Sequence, residues 1–430
     1  MTLRNNKYRD RLLDENLKKH LRAFGAVEIV GSMWCGKTWM AEAHGNSKIN
    51  LSNPGLRSLI EADHSLALEG DRPHIIDEWQ EVPALWDEVR LAVDAAAGLR
   101  GLFILTGSST PKKEETSHSG TGRISRIRLR PMSLYESGHS DGAVSLSGLF
   151  NGEFKNARVQ TDLRGIADLI CKGGWPGALD LDPDSAELIP NQYLDTLISS
   201  IGVKSEANEY RLRRLLISLA RNLGQAAAYQ TIASDILEGD IDSKREIASR
   251  QTVERLINFF KDRFIIEDMW GWDAPIRSKS RVRLKPKRCF VDPSLPAALL
   301  GAGKNRLLED GQLFGRLFEE LALRELRIYT SCLDFALPDA VKYYRDSDGL
   351  EVDAIIELRD GRWAAIEIKL SENKVAEGVQ SLLRLKNKVA GNPLARCPEP
   401  AFMAVLVGKA EFCRKTAEGI YVIPCTSLTV

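Results

Sequence analysis

Residues 31 to 38 read Gly31-Ser32-Met33-Trp34-Cys35-Gly36-Lys37-Thr38 and fit G-x-x-x-x-G-K-[ST], the spacing of a loop whose backbone N–H groups wrap phosphates. In such a loop the glycines let the chain curl, Lys37 neutralises the outer phosphates, and the Thr38 hydroxyl ligates Mg²⁺. The apolar run His74-Ile75-Ile76 ends in Asp77-Glu78, which puts two carboxylates where a parallel sheet presents its ligands. Asp77 there would hold Mg²⁺ through its water shell, and Glu78 would orient and deprotonate an attacking water. A third run ends in Thr106-Gly107-Ser108-Ser109, and the hydroxyls of Thr106 and Ser108 are candidates for sensing a γ-phosphate. Together these residues predict binding and hydrolysis of a nucleoside triphosphate.

A second group lies near the C-terminus. Asp353 and Glu367-x-Lys369, preceded by Glu319 on a predicted helix, resemble the PD-(D/E)-x-K pattern of restriction-endonuclease-like folds. There the carboxylates would bind Mg²⁺, and the lysine would stabilise phosphorane-like charge or orient water. If Arg359-Asp360-Gly361 is a three-residue loop with Gly361 left-handed, Leu358 pairs with Arg362 and Asp353 falls opposite Glu367. Ala354, Ile356, Leu358, Ala364, Ile366, Ile368 and Leu370 then share an apolar face. A two-residue turn would mix the faces and separate the carboxylates. The pattern leaves open whether such a site cleaves or persists as a scaffold.

A third group is cationic. Between Ile276 and Arg288 the chain reads IRSKSRVRLKPKR, and on a β-strand Arg277, Lys279, Arg281, Arg283, Lys285 and Lys287 would share one face. The run follows a predicted helix, Thr252 to Asp268, with Val253, Leu256, Ile257 and Phe260 on one side. Helix then β-wing is the order of a winged helix, in which the helix lies near the major groove and the wing grips phosphates. DNA is the expected partner, without base specificity; an acidic protein is the alternative.

The elements that must position these groups follow from periodicity. Strands at Ala26–Val30, Ile49–Leu51, Pro73–Asp77 and Leu102–Thr106 alternate with helices at Leu56–Leu68 and Ala84–Ala97, after an exposed helical lead-in over residues 1–24. This is the βαβ rhythm of a parallel sheet. A polar loop, Pro111 to Thr121, interrupts it. Helical patterning runs from Asp162 to Leu237, broken at Gly173-Gly174-Trp175-Pro176-Gly177. After Asp292-Pro293 come a helix near Phe314–Arg327 and strands near Lys342–Arg345, Asp353–Leu358 and Ala364–Leu370, an α+β arrangement separate from the first. The predicted fold is α/β with four parts: a P-loop NTPase domain over 1–140, a helical lid or linker over 141–205, a winged-helix-like region over 206–300 and a restriction-endonuclease-like domain over 301–430.

Composition bounds these readings. With 430 residues, 59 Lys plus Arg against 59 Asp plus Glu, and 43% hydrophobic residues, the chain can bury several cores and is neither disordered nor histone-like. Seven scattered cysteines without a C-x-x-C pair read as reduced thiols. The charged N-terminus lacks a signal-peptide core, and no stretch approaches 18 uncharged apolar residues, so a soluble cytoplasmic protein without a membrane span is expected.

The stretches VGSMWCGKT, HIIDEWQEVPALW, FILTGSS, LRPMSLYE, GGWP, RCFVDPSL, GRLFEE, YYRDSDGLEVD and AAIEIK resemble a family of prokaryotic AAA-type ATPases that join a P-loop domain, a winged-helix region and a C-terminal domain of unknown function. The resemblance implies ATP as the nucleotide and homo-oligomeric assembly, in which one subunit's arginine reaches the next subunit's ATP. Arg123 of Gly122-Arg123 matches that arginine, with Arg126 as a neighbour. The chain departs from the family at Met33, where relatives usually carry Arg, and carries bulky Trp34 in the loop.

Overall fold

Three short, wholly buried runs become the inner strands of a sheet because helices cover them, and two more polar, partly exposed runs form its edges, as in an all-parallel sheet. The structure, a computed structural model, describes residues 3, 6–108, 121–199, 206–226, 229–237, 250–275 and 277–430. Ser109, all but the last residue of the polar loop, and Ile276 lie outside the described residues. Two compact units form, residues 1–132 with 260–265, and residues 133–259 with 266–430. Most of the three segments expected after residue 140 falls in the second unit, with residues 260–265 assigned to the first.

In the first unit α1 (Asp14–Ala23) leads into β1 (Ala26–Val30), followed by α2 (Lys37–His44), β2 (Ser47–Asn50), α3 (Pro54–Ala62), β3 (His74–Asp77), α4 (Leu85–Ala95), β4 (Phe103–Gly107) and β5 (Ile124–Arg128). The sheet order is β2-β3-β4-β1-β5, every pair parallel. β1 lies between β4 and β5 and is wholly buried, and the loop after it opens at the C-terminal edge of the sheet. The lead-in is not merely an exposed helix, since Arg11, Leu13, Asp14 and Leu17 are buried.

The second unit begins with β6 (Val144–Ser145), α5 (Leu146–Phe150), β7 (Ala157–Arg158), α6 (Leu163–Lys172), α7 (Pro183–Ala186), α8 (Leu188–Ser199), α9 (Glu206–Arg221), α10 (Tyr229–Leu237) and α11 (Arg250–Asp262). There follow β8 (Ile266–Met269), α12 (Ser280–Arg283), β9 (Lys287–Phe290), α13 (Ser294–Leu299), α14 (Lys304–Glu309) and α15 (Gly311–Ser331). The chain ends with β10 (Ala336–Arg345), β11 (Glu351–Leu358), β12 (Trp363–Ser371), α16 (Val375–Ala390), β13 (Phe402–Lys409), β14 (Phe412–Lys415), β15 (Tyr421–Pro424) and β16 (Leu428–Thr429). A mixed seven-stranded sheet runs β10-β11-β12-β13-β15-β14-β7. Its faces are covered by α15 and α16: Gly408 lies against Phe318, and Gly378 lies against Glu367 and Val405, so the two helices meet strand positions of opposite parity. The face carrying Asp353 and Glu367 is therefore not an open polar surface; Ile355, Trp363 and Ala365 on it pack with Val379, Leu382 and Leu385.

Several stretches shared with the resembled family meet in one buried clasp. Asp292 accepts from Gly174 N at 2.9 Å, from Ser294 Oγ at 2.6 Å and from Arg324 Nη1 at 2.7 Å. Arg324 Nη2 also donates to Glu325 Oε1 at 2.7 Å, while Glu325 Oε2 accepts from Leu134 N and Tyr329 Oη, each at 2.7 Å. Trp175 Nε1 closes the ring on Ser294 Oγ at 2.9 Å. All these charges are buried, so their satisfaction by one another is what makes the arrangement tolerable.

Candidate functional site

The turn from β1 into α2 follows from local sterics. A Cβ on Gly31 would come within 2.1 Å of the Leu129 carbonyl oxygen, and Gly36 has φ 100°, both of which require glycine. Trp34 holds φ 61° without being glycine, a conformation costly for a bulky residue, and its ring is exposed. Arg11 braces the loop from outside, donating to Cys35 O at 2.9 Å and Arg130 O at 2.8 Å. Lys37 Nζ lies inside the curl and donates to Ser32 O at 2.9 Å. The Ser32 hydroxyl is buried with no hydrogen-bond partner among the described residues.

The strand ends bring the expected acids to this loop. Thr38 Oγ1 donates to Asp77 Oδ1 at 2.9 Å, and Asn50↔Asp77↔Thr106 are in register across β2, β3 and β4. Thr106 also donates to Asp77 and accepts from Glu78 N at 3.2 Å. Being fully buried, Thr106 braces both acids from beneath instead of facing a phosphate. Ser108 Oγ donates to Glu78 Oε2 at 3.0 Å, and Gln80 Nε2 donates to the same oxygen. Glu78 is left-handed at φ 56°. Sequence spacing pointed to none of Arg11, Lys48 and Gln80; Lys48 Nζ lies 3.0 Å from Asp77 Oδ2. An anion-wrapping turn, an orphaned buried hydroxyl and a Thr–Asp oxygen pair form a donor set suited to a Mg²⁺-bound triphosphate.

Arg123 is not part of this site in its own chain. It precedes β5 beside Ala26, at the N-terminal edge of β1, about 16 Å from the loop at ~3.3 Å per residue. Its guanidinium pairs with Asp94 at 2.8 Å. Arg126 pairs with buried Glu28 at 2.7 Å, and Glu28 also accepts from Trp79 Nε1 at 3.1 Å.

In the second unit Asp353, Glu367 and Lys369 come together. The β11–β12 ladder runs from Glu357↔Trp363 to Ala354↔Ile366, Leu358 N bonds Arg362 O at 2.9 Å and Gly361 has φ 90°; Asp353 thus stands across from Glu367. The Asp353 carboxylate accepts Ile368 N–H at 2.8 Å. Lys369 Nζ pairs with Glu367 and lies 3.5 Å from Asp353. Glu319 of α15 faces Lys287 Nζ at 3.8 Å, and Lys287 pairs with Glu351 at 2.6 Å. Burial pushes Glu319 and Glu367 up to about 8, the Asp353 charge adding to both while Lys287 and Lys369 oppose. Two lysines thus compensate the acids, and among the described residues no group of three or more His, Cys, Asp or Glu side chains is arranged to hold a metal ion.

The cationic run is not a strand. Ser280–Arg283 is helical and the strand begins only at Lys287, paired antiparallel with β8. The preceding helix ends at Asp262, and Ile266–Met269 is already strand. Arg281 turns inward, giving Glu357 two bonds of 2.8 Å, and Lys287 is buried among Glu351 and Glu319. Arg277, Lys279, Arg283 and Lys285 remain exposed. Ion pairing with distant strands, absent from any local pattern, overrides the alternation.

Comparison with known proteins agrees with the first unit. Residues 24–138 match the AAA domain family, residues 163–306 a domain of unknown function (DUF8612), and residues 314–428 a further domain of unknown function (DUF4143). The uncharacterized protein Rv2008c of Mycobacterium tuberculosis is 25% identical over 380 residues, covering 85% of this chain and 75% of the relative, and the uncharacterized protein Mb2031c of Mycobacterium bovis matches to the same extent. Among solved structures, the Walker-type ATPase PABY2304 of Pyrococcus abyssi is similar over 70% of this chain and 98% of its own, at 14% identity and a TM-score of 0.41. The Aeropyrum pernix ORC1 protein in complex with DNA is similar over 67% and 91%, at 13% identity and a TM-score of 0.28. Residues 24–138 are thus similar to an AAA domain, in keeping with a P-loop over Gly31–Thr38, and among the described residues no helix is long and apolar enough to cross a membrane.

Proposed function

We propose that this protein is an ATP-binding and ATP-hydrolysing switch whose second unit contacts nucleic acid through a basic surface and uses a nuclease-like sheet as scaffold. The observation that carries the ATP reading is the contact between Thr38 and Asp77 beneath a loop with Lys37 inside it. Bound MgATP would supply the phosphoanhydride to be broken. Lys37 would exchange the Ser32 carbonyl for phosphate oxygens, Thr38 and Asp77 would hold Mg²⁺, and Glu78, oriented by Ser108 and Gln80, would accept a proton from water. Arg123, half-exposed and held by Asp94 and the Thr121 carbonyl on the far edge of the sheet, is suited to act on a neighbouring copy and not on its own ATP.

The order α9, α10, α11, then the β8–β9 ribbon supports a winged-helix reading. The exposed cations Arg277, Lys279, Arg283 and Lys285 favour a phosphate backbone as partner. The lysine-compensated Asp353–Glu367 cluster favours a scaffold without cleavage over an active nuclease. The test is nucleotide binding and phosphate release with and without DNA. Wild type should bind and hydrolyse ATP, Lys37→Ala should lose nucleotide binding, and DNA affinity should fall steeply with salt. Nucleotide binding that survives Lys37→Ala would overturn the ATP site, and salt-independent DNA affinity would overturn the nucleic-acid contact in favour of an acidic protein partner.

A further inference from the structure

Asp77 carries more partners than a Mg²⁺-holding carboxylate needs. Its Oδ1 is taken by Thr38 and Thr106, and its Oδ2 faces Lys48 Nζ at 3.0 Å. Lys48 stands on β2, the neighbouring strand, and its ammonium also reaches Glu42 Oε1 on α2 at 2.9 Å. The carboxylate side chain is 4% exposed and the lysine side chain 20%, so this is an internal pair and not a solvent-swept surface contact.

We infer that Lys48 is a resident counter-cation that competes with Mg²⁺ for Asp77, and that Glu42 is the alternative acceptor to which its ammonium retreats when the divalent ion enters. This rests on the reading of Asp77 as a Mg²⁺-holding residue. An ammonium has three donors and no acceptor, so on Asp77 Oδ2 it occupies a lone pair that a Mg²⁺-bound water would use. Two cations cannot share that oxygen without strong repulsion in a site shielded from solvent. Glu42 resolves the conflict, because Lys48 already touches it and needs only to loosen its bond to Asp77. Without Mg²⁺ the same lysine spares Asp77 from being a buried charge served by hydroxyls alone. The device therefore stabilises the metal-free site and raises the Mg²⁺ concentration at which the nucleotide acquires its ion.

The experiment uses the full chain with ADP held constant and Mg²⁺ titrated, read by calorimetry and by the Mg²⁺-dependent shift in thermal midpoint. Lys48→Met should bind Mg²⁺ more tightly by on the order of tenfold, as expected when one unit charge a few ångströms away is removed from a partly shielded site. Glu42→Gln should move the Mg²⁺ midpoint the opposite way, because it leaves Lys48 no carboxylate but Asp77. Lys48→Arg, which keeps the charge, should stay near wild type. Unchanged or weaker Mg²⁺ binding in Lys48→Met, or tighter binding in Glu42→Gln, overturns the inference; should Lys48→Met fail to fold, Glu42→Gln decides alone. Failure of the wild type to bind ADP at any Mg²⁺ concentration would instead overturn the nucleotide reading beneath it.

Discussion

Both units set carboxylates beside lysines at strand ends, but the lysines balance charge in different ways. In the P-loop, Lys37 rests on a neutral carbonyl, Ser32 O, and a buried hydroxyl in the same loop has no partner among the described residues. Its charge is therefore available to an anion at the cost of one ordinary hydrogen bond. In the second unit, Lys369 sits between Glu367 and Asp353, and Lys287 between Glu351 and Glu319. Those charges are already matched, and a metal ion would have to displace lysines or protons to enter. The same residue types leave the phosphate position of the first unit open, since Lys37 donates to a carbonyl, whereas its metal carboxylate Asp77, matched by Lys48, requires the same displacement of a lysine as the acids of the second unit.

The largest expected effect separates the two sites directly. Glu78→Gln should slow phosphate release about 10²–10⁴-fold, the usual contribution of a positioned general base, while nucleotide affinity is retained; Asp353→Ala should hydrolyse ATP at the parent rate. Parent-rate hydrolysis in Glu78→Gln would remove the role assigned to that residue. Next in size is the buried clasp. Arg324→Met strands Asp292 and Glu325 without their cation and should cost about 3–5 kcal/mol, the range for breaking a buried ion pair, measured as a lower denaturant midpoint. Smaller again is the basic surface. Reversing Arg277, Lys279, Arg283 and Lys285 to Glu should weaken DNA binding across unrelated sequences and flatten its salt dependence, with ATP affinity unchanged. Reversing the inward-facing Arg281 should unsettle the fold instead, because Glu357 would lose its bidentate partner.

What could be read from the sequence depended on whether the deciding contacts were local. Strand parity around Arg359-Asp360-Gly361 gave the Asp353–Glu367 juxtaposition, since a turn fixes the register of the strands it joins. The loop Gly31–Thr38 and the carboxylates after β3 were legible for the same reason, each being a strand followed by its own turn. The alternating cations were not, because partners some 70 residues away pull Arg281 and Lys287 inward, as the 76-residue separation of Arg281 from Glu357 illustrates. Lys48, Gln80 and Arg11 occupy no motif spacing; they act through strand adjacency or by bracing a loop, and only the packed structure reveals either. GGWP and RCFVDPSL were visible as motifs, but their service in a buried clasp was not, since it depends on where Arg324 and Glu325 lie in space.

The smallest effect is a difference in pH dependence, and it tests the contrast between open and closed charge. In the second unit burial pushes Glu319 and Glu367 up to about 8. Between roughly pH 4.5 and 8 the unfolded chain has released those protons while the folded protein keeps them, so folding takes up protons and stability falls as pH rises through that window. In the first unit burial pushes His74 down to about 4, with Arg72 adding to the fall. There the unfolded state binds the extra proton below about pH 6.5, so stability falls as pH drops from that value toward 4. Denaturation followed from pH 5 to 8 should therefore show opposite trends in the two units. Glu319→Gln and Glu367→Gln should flatten the alkaline loss, and a neutral replacement, His74→Gln, should flatten the acid one. Site-resolved hydrogen exchange distinguishes the two trends within one chain. An alkaline loss that persists undiminished in both glutamine variants would mean that these acids are already ionised at neutral pH, and the second cluster would then have to be regarded as open to a metal ion after all.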